Sequence, residues 1–332
     1  MLLLLVLVLG RPEEVTPERA TVSAGRMDGN GVPERPLLPP WLRVARVGDR
    51  LLLEHGDAIL SLEGRAATLL LPRLLPLLDG LRTLEEIAQE LGPPAEHAVA
   101  ALTERGYLVD GPSTHSQTAL LAASLAHGTP RLADVEARLA ETRVGVAGTG
   151  PTADEIARLL RSPERLCWDD DPDGLDLAVA APAPRELPEL TAWNERLLEY
   201  RLPWLQVLPF NGRVAFVGPL FLPGETGCHA CFAYRRAEAC GEVADLLALG
   251  AVPAQFPVDD ALGAALAGLA ACVALRWLAT DDPSLPASTF VLELGAGPVV
   301  TRHRLLRVPR CHACSGTRRF PPPLPWAEAV AR

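Results

Sequence analysis

The sequence contains no lysine: all 31 basic side chains in its 332 residues are arginine. That absence excludes a P-loop lysine, a Schiff-base lysine and any adenylation chemistry that leans on a lysine ammonium. The chain also lacks a basic run, and its formal net charge is -10 with a pI near 5.3. Binding to nucleic acid, which depends on neutralising phosphates, is therefore disfavoured. Disulfide-framework spacing is missing as well, so the seven cysteines read as thiols or metal ligands, with a cytoplasmic location expected. Methionine occurs only at Met1 and Met27. The opening MLLLLVLVLG has the apolar core of a secretory signal, but no positive residue precedes it, acidic RPEEV follows, and it is too short to span a bilayer. Residues 1–38 are read as a mis-set start or an unstructured tail, with no membrane partner.

What is present begins with composition. Hydrophobic residues make up 48% and charged residues 22%, enough to fold, and the length suits two domains. From residue 39 to 111 the pattern predicts three short strands and then helices. The strands are Leu42–Val47, Arg50–Glu54 and Ala58–Leu62, separated by Gly48-Asp49 and His55-Gly56-Asp57. Pro72 and Pro76 predict a break in the first helix. Thr83 with Glu86 three residues on predicts a capping box, PAEHAVAALTERG a further helix, and Tyr107–Val109 a closing strand. Two more helices fill a linker at 112–141.

The segment RVGVAGTGPTADEIARLL then reads as strand, glycine turn and helix, the layout of a dinucleotide-fold phosphate turn. Gly145, Gly148 and Gly150 are its glycines, Ala153 stands where the fingerprint accepts alanine, and Asp169, Asp170 and Asp171 supply the acidic residue expected about 20 positions on. Only a few residues separate Asp171 from the next strand, beginning near Leu175. With no lysine and no room for a second lobe, this turn is expected to be vestigial, with Gly148, Gly150 and Asp169 retained and no functional ATP site.

The most specific signal is a repeated tetrapeptide, Cys-His-Ala-Cys, at Cys228–Cys231 and again at Cys311–Cys314. Two such knuckles present four thiolates tetrahedrally, the ligand set of a closed structural zinc site with no open position for water. A redox pair needs only one such motif. His229 and His312 are expected to be exposed or to lie behind the ligands, and Cys167, Cys240 and Cys272 to be small buried apolar residues. Between the knuckles stand a long apolar helix, Asp259–Ala279, and a hairpin.

A dinucleotide-fold core with a knuckle, a buried helix, a hairpin and a second knuckle resembles the ThiF/MoeB family of ubiquitin-activating-type enzymes. LPFNGRVAFVGPLFLPGETGCHACFAYRR and RVPRCHACSGTRRFPPPLPW resemble more closely the ThiF-like partner proteins of YcaO cyclodehydratases, which make azole-containing peptides such as thiopeptides and linear azole peptides. Residues 39–111 resemble, by order and length, a PqqD-type recognition element for ribosomally synthesised and post-translationally modified peptides (RiPPs).

These resemblances imply an α/β chain with a winged-helix-like module of three strands and three helices at 39–111, a degenerate ThiF-like domain with zinc at 142–326, and a tail at 327–332. They imply a non-catalytic scaffold that binds a precursor leader and delivers it to a separate YcaO enzyme for azoline formation at Cys, Ser or Thr. The leader would add to the edge strand Ala58, Ile59, Leu60, Ser61 and Leu62, with Ala98, Ala101 and Leu102 as a groove floor and Arg105 at its rim; Leu60 and Leu102 also suit the module's own core. Homodimerisation stays open. So do two other readings: an active adenylating enzyme acting on a carrier-protein C-terminus, and a winged-helix regulator with a metal-sensing domain.

Overall fold

The computed structural model describes residues 31–56, 58–111, 116–126, 130–160, 163–241, 243–295 and 297–315. The apolar opening, Asp57 of the expected turn, and everything after residue 315, including the 327–332 tail, lie outside the described residues.

The N-terminal part contains the expected three strands: β2 (Arg43–Val47), β3 (Arg50–His55) and β4 (Ala58–Leu62), antiparallel in the order β2-β3-β4. The period-2 pattern of β3 turns Leu51 and Leu53 into the core, and the register Leu51↔Leu62 and Leu53↔Leu60 carries that face onto β4. Pro72 and Pro76 do break the next helix. Instead of one rod there are a π turn at Ala66–Leu70, α1 (Leu71–Leu74) and a 3-10 turn at Leu75–Leu77, since proline deletes a donor and clashes with the preceding turn. Helix α2 (Leu84–Leu91) starts at the Thr83 capping box, where the Thr83 hydroxyl accepts from Glu86 N–H at 3.2 Å and the Glu86 carboxylate from Thr83 N–H at 2.7 Å. Helix α3 (Pro94–Glu104) buries Ala95, Val99 and Leu102 against Leu53, Leu74 and Ile87.

One strand falls in what was expected to be tail. β1 (Pro36–Leu37) pairs antiparallel with β5 (Val109–Asp110), so the chain is stitched into the fold before residue 39. Leu37 and Val109 then join a small core with Ala119 and Leu120 of α4 (Gln117–Leu125), Leu132 and Val135 of α5 (Leu132–Glu141), and Ala279. The described residues from Val32 onward form one compact unit.

The larger part is a seven-stranded mixed sheet, ordered β12-β11-β10-β9-β8-β6-β7. β6 (Val144–Ala147), β7 (Glu164–Leu166), β8 (Leu177–Ala180) and β9 (Trp204–Leu208) run parallel. β10 (Val214–Phe221), β11 (Ser288–Glu293) and β12 (Val299–Arg304) continue antiparallel. β8 and β9 are buried along their whole length, as strands covered on both faces must be. One face carries α6 (Pro151–Leu159) and α10 (Asp260–Thr280), whose Leu266, Ala267, Ala270 and Ala274 pack on Val146, Val179, Val207 and Val217. α10 is long and apolar enough to cross a membrane, yet it fills the core of this sheet. The other face carries α7 (Glu189–Tyr200) and α8 (His229–Cys240); α9 (Val243–Gly250) follows and buries none of its described side chains.

Candidate metal centre and phosphate turn

Cys228 is the residue before α8 and Cys231 lies in its first turn, the helix having opened where Thr226 and Gly227 end the loop after β10. Cys311 and Cys314 lie in the turns that follow β12. Because β10, β11 and β12 are adjacent in the sheet, both knuckles emerge beside each other, and all four cysteines are buried. Their Sγ atoms lie within 4.8 Å of one another, at 4.0 Å for Cys228–Cys231, 3.8 Å for Cys228–Cys311 and 3.6 Å for Cys231–Cys314. A tetrahedral ion with metal–sulfur bonds of about 2.3 Å sets sulfur edges of about 3.8 Å, so the cluster has the size such an ion requires. Among the described residues it is the one group of metal-ligating side chains gathered in this way.

The electrostatics agree. Cys231 is pushed down because the Cys228 and Cys314 thiols donate to it, and Val308 N–H donates to its sulfur at 3.4 Å. Cys228 is pushed up by its bonds to Cys231 and Cys314 and by burial. Cys314, although favoured by the Cys228 thiol, is pushed up to about 12 by its bond to Cys231 and by burial. Without a cation one thiolate forms readily and its neighbours resist; a divalent ion removes that conflict.

His312 is exposed, and half-buried His229 turns from the sulfurs to bond Gln206 Oε1, while its backbone N–H donates to Asn194 Oδ1 at 2.9 Å. Burial, with the Arg236 charge, lowers the imidazole to about 4. Cys167, Cys240 and Cys272 correct the sequence reading: all three are exposed. Cys240 ends α8, Cys167 follows β7 and Cys272 sits on the uncovered side of α10, placements that spacing alone does not determine.

The glycine turn forms as expected between β6 and α6. Gly148 has φ +115° and Gly150 φ +91°, and Gly150 is the residue before the helix. A Cβ on Gly148 would stand 2.1 Å from the Ala181 carbonyl oxygen, so the turn after β6 lies against the turn after β8. Asp169 is fully exposed, 3.7 Å from Arg196, in a loop whose backbone Arg196 holds through the Trp168 and Asp170 carbonyls. What the sequence reading missed is Glu186, in the 3-10 turn Pro184–Glu186 after β8. Its carboxylate accepts Thr149 N–H at 3.0 Å, Ala183 N–H at 3.0 Å and the Thr149 hydroxyl. APAPRELP signals a turn but not where a carboxylate in it will point.

In the N-terminal part β4 pairs only with β3 among the described residues, leaving its outer edge open. Ala58, Ile59 and Ser61 are exposed, Ile59 at 66%, whereas Leu60 and Leu62 are partly buried and face the core. On α3, Ala98 and Ala101 are half-buried, Leu102 is buried in the core, and exposed Arg105 donates back to the Ala101 carbonyl at 2.7 Å.

No protein-family model matches the sequence, and no curated protein does. Solved structures do match. The heterocyclase TruD aligns with a TM-score of 0.62 and 23% identity over 85% of this chain and 43% of TruD. Escherichia coli MccB with ATP aligns at 0.62 and 15% identity over 84% of this chain and 99% of MccB. The microcin C7 biosynthetic enzyme MccB in complex with N-formylated MccA aligns at 0.62 and 13% identity, with the same coverage. The chain thus spans less than half of TruD and the full length of MccB. Each match covers far more than residues 142–326, so each includes residues of the N-terminal part. The chain thus shares its fold with the heterocyclase TruD and the biosynthetic enzyme MccB.

Proposed function

We propose that this chain is a non-catalytic scaffold that binds the leader of a ribosomal precursor peptide and delivers it to a separate YcaO-type cyclodehydratase, which closes azoline rings at Cys, Ser or Thr. The observation that carries the reading is the fold this chain shares with the heterocyclase TruD, over 85% of its own length and 43% of TruD's. Support comes from the open edge of β4, which can take a leader as an added strand in a PqqD-like, winged-helix-like manner. MccB, whose fold the chain shares, has been seen with the peptide MccA. The absence of lysine and the exposure of Asp169 argue against phosphoryl or adenylyl transfer here. Cys228, Cys231, Cys311 and Cys314 would hold a structural zinc: with sulfur in all four positions it leaves none for water, and it braces the C-terminal knuckle against α8.

A second reading, an adenylating enzyme, is favoured by the match to MccB with ATP along that enzyme's full length. One experiment separates them. The purified chain, with a YcaO enzyme and precursor, is assayed for ring closure as loss of one water per ring, and alone for ATP–pyrophosphate exchange. The scaffold reading expects ring closure that requires both proteins, no exchange by the chain alone, and little effect of Asp169→Ala. Exchange by the isolated chain overturns it.

A further inference from the structure

In an open α/β sheet the ligand crevice lies beyond the carboxyl ends of the strands, where the order reverses. Here β6 lies between β7 and β8, with α6 following β6, and the crevice is the gap between the turn after β6 and the turn after β8. A nucleotide phosphate would sit on the N–H groups at the start of α6. Beside that place, the N–H and hydroxyl of Thr149, in the turn that leads into α6, are already taken by an anion belonging to the chain.

Residues 181–186 run from the end of β8 across the turn, stiffened by Pro182 and Pro184, neither of which offers an N–H. The Ala181 backbone presses so close to Gly148 that no side chain fits between them. Glu186 then turns back, and its carboxylate takes Thr149 N–H and Ala183 N–H, each at 3.0 Å, and the Thr149 hydroxyl. The side chain is only 13% exposed. Arg185 donates to Thr149 Oγ1 at 3.2 Å, and Ala254 N–H bonds the Pro184 carbonyl at 3.1 Å, pinning the loop from the segment between α9 and α10. Charge-assisted bonds of this kind are about twice as strong as neutral ones. An incoming phosphate would have to displace an anion already bonded in place and held beside it by the chain.

We propose that Glu186 is a built-in anion that occupies the phosphate turn and closes the crevice between β6 and β8 to nucleotides. It concerns the turn that the scaffold reading treats as vestigial, but it does not depend on leader binding.

The test uses the full chain with Glu186→Ala and Glu186→Gln, probed with pyrophosphate and with Mg²⁺–ATP by equilibrium dialysis and thermal denaturation. The wild-type chain is expected to bind neither at millimolar concentration and to show no shift in Tm. Glu186→Ala is expected to bind pyrophosphate at least about 10-fold more tightly than wild type and to gain Tm with it, since the freed N–H groups again need an anion. Glu186→Gln, which keeps the shape and an acceptor but loses the charge, should fall between them, and it decides the matter if the alanine variant does not fold. Wild-type binding as tight as that of the variants overturns the proposal. So does a folded variant that neither binds pyrophosphate nor is stabilised by it. In that second outcome an intact requirement for both proteins in ring closure leaves the scaffold reading standing.

Discussion

The Sγ atoms of Cys231 and Cys314 lie 3.6 Å apart although 83 residues separate them in the chain. Joining them through one ion would close a loop that contains α8, α9, α10 and the β11–β12 hairpin, so a bound metal would constrain most of the C-terminal half. The expected stoichiometry is one zinc per chain by elemental analysis. Structural zinc is worth about 10–16 kcal/mol in small zinc peptides, and a larger core retains only part of that dependence. Cys231→Ser or Cys314→Ser should therefore lower Tm by more than 10 °C or abolish soluble expression, with nucleotide or peptide readouts failing only as a consequence. Purified chain without metal, with four freely reactive buried thiols and an unchanged Tm, rules the site out.

The four-cysteine cluster was legible because each Cys-His-Ala-Cys is a local signal and only its pairing needed the fold. The capping box at Thr83 and Glu86 was legible for the same reason: both partners lie within one turn. Two-residue β1 carries no periodicity, and it exists because Val109 and Asp110 are there to pair with it. Helix α9 went unread since its eight residues form no inward-facing stripe. Glu186 was invisible for a related reason: its partners, Thr149 and Ala183, come from turns after two different strands, brought together by sheet order alone.

Asp110 tests that stitch between β1 and β5. Its carboxylate, 8% exposed, accepts Arg35 N–H at 2.7 Å and lies 3.7 Å from Arg131. Burial raises its pKa, more than the bonds from the Arg35 and Glu34 backbone and the charge of Arg131 lower it. A carboxyl group raised on folding binds its proton more tightly in the folded chain. Its contribution is thus favourable in acid and is lost as pH rises from the unfolded value of about 3.9 through the folded one. Relative to Asp110→Asn, the wild type should lose stability in urea titrations as pH rises above about 4, while Asp110→Ala should cost about 1–3 kcal/mol relative to Asp110→Asn at any pH by leaving Arg35 N–H without its acceptor. A wild-type and Asn pair with parallel pH profiles refutes the assignment.

For the open edge of β4, the expected effect is on affinity and not on folding. Ser61 is exposed on that strand, and Ala101 is half-buried on α3. Ser61→Pro removes a backbone donor, and Ala101→Leu enlarges the helix surface; each should weaken leader binding by at least about 10-fold, roughly 1.4 kcal/mol, in fluorescence anisotropy. Circular dichroism and Tm report whether each variant is folded. A folded variant of either kind that binds the leader at wild-type affinity places the clamp elsewhere.

Gly148 and Gly150 both have positive φ in the same turn, yet their surroundings differ, and that difference separates a conformational requirement from a packing one. Around Gly150 an added Cβ meets nothing within 4 Å, so Gly150→Ala carries only the strain of an L-residue at φ +91°, about 1–3 kcal/mol. At Gly148 the same carbon would lie 2.1 Å from the Ala181 oxygen and 2.6 Å from its carbonyl carbon, and both are backbone atoms at the end of β8 that cannot swing aside. Relief requires moving the whole 181–186 turn, which would also pull Glu186 from Thr149. Gly148→Ala should thus be the more damaging variant by at least about 2 kcal/mol in urea unfolding, or fail to accumulate as soluble protein. If the two variants are equally stable, the turns after β6 and β8 do not touch as described, and the closed crevice loses its geometric basis.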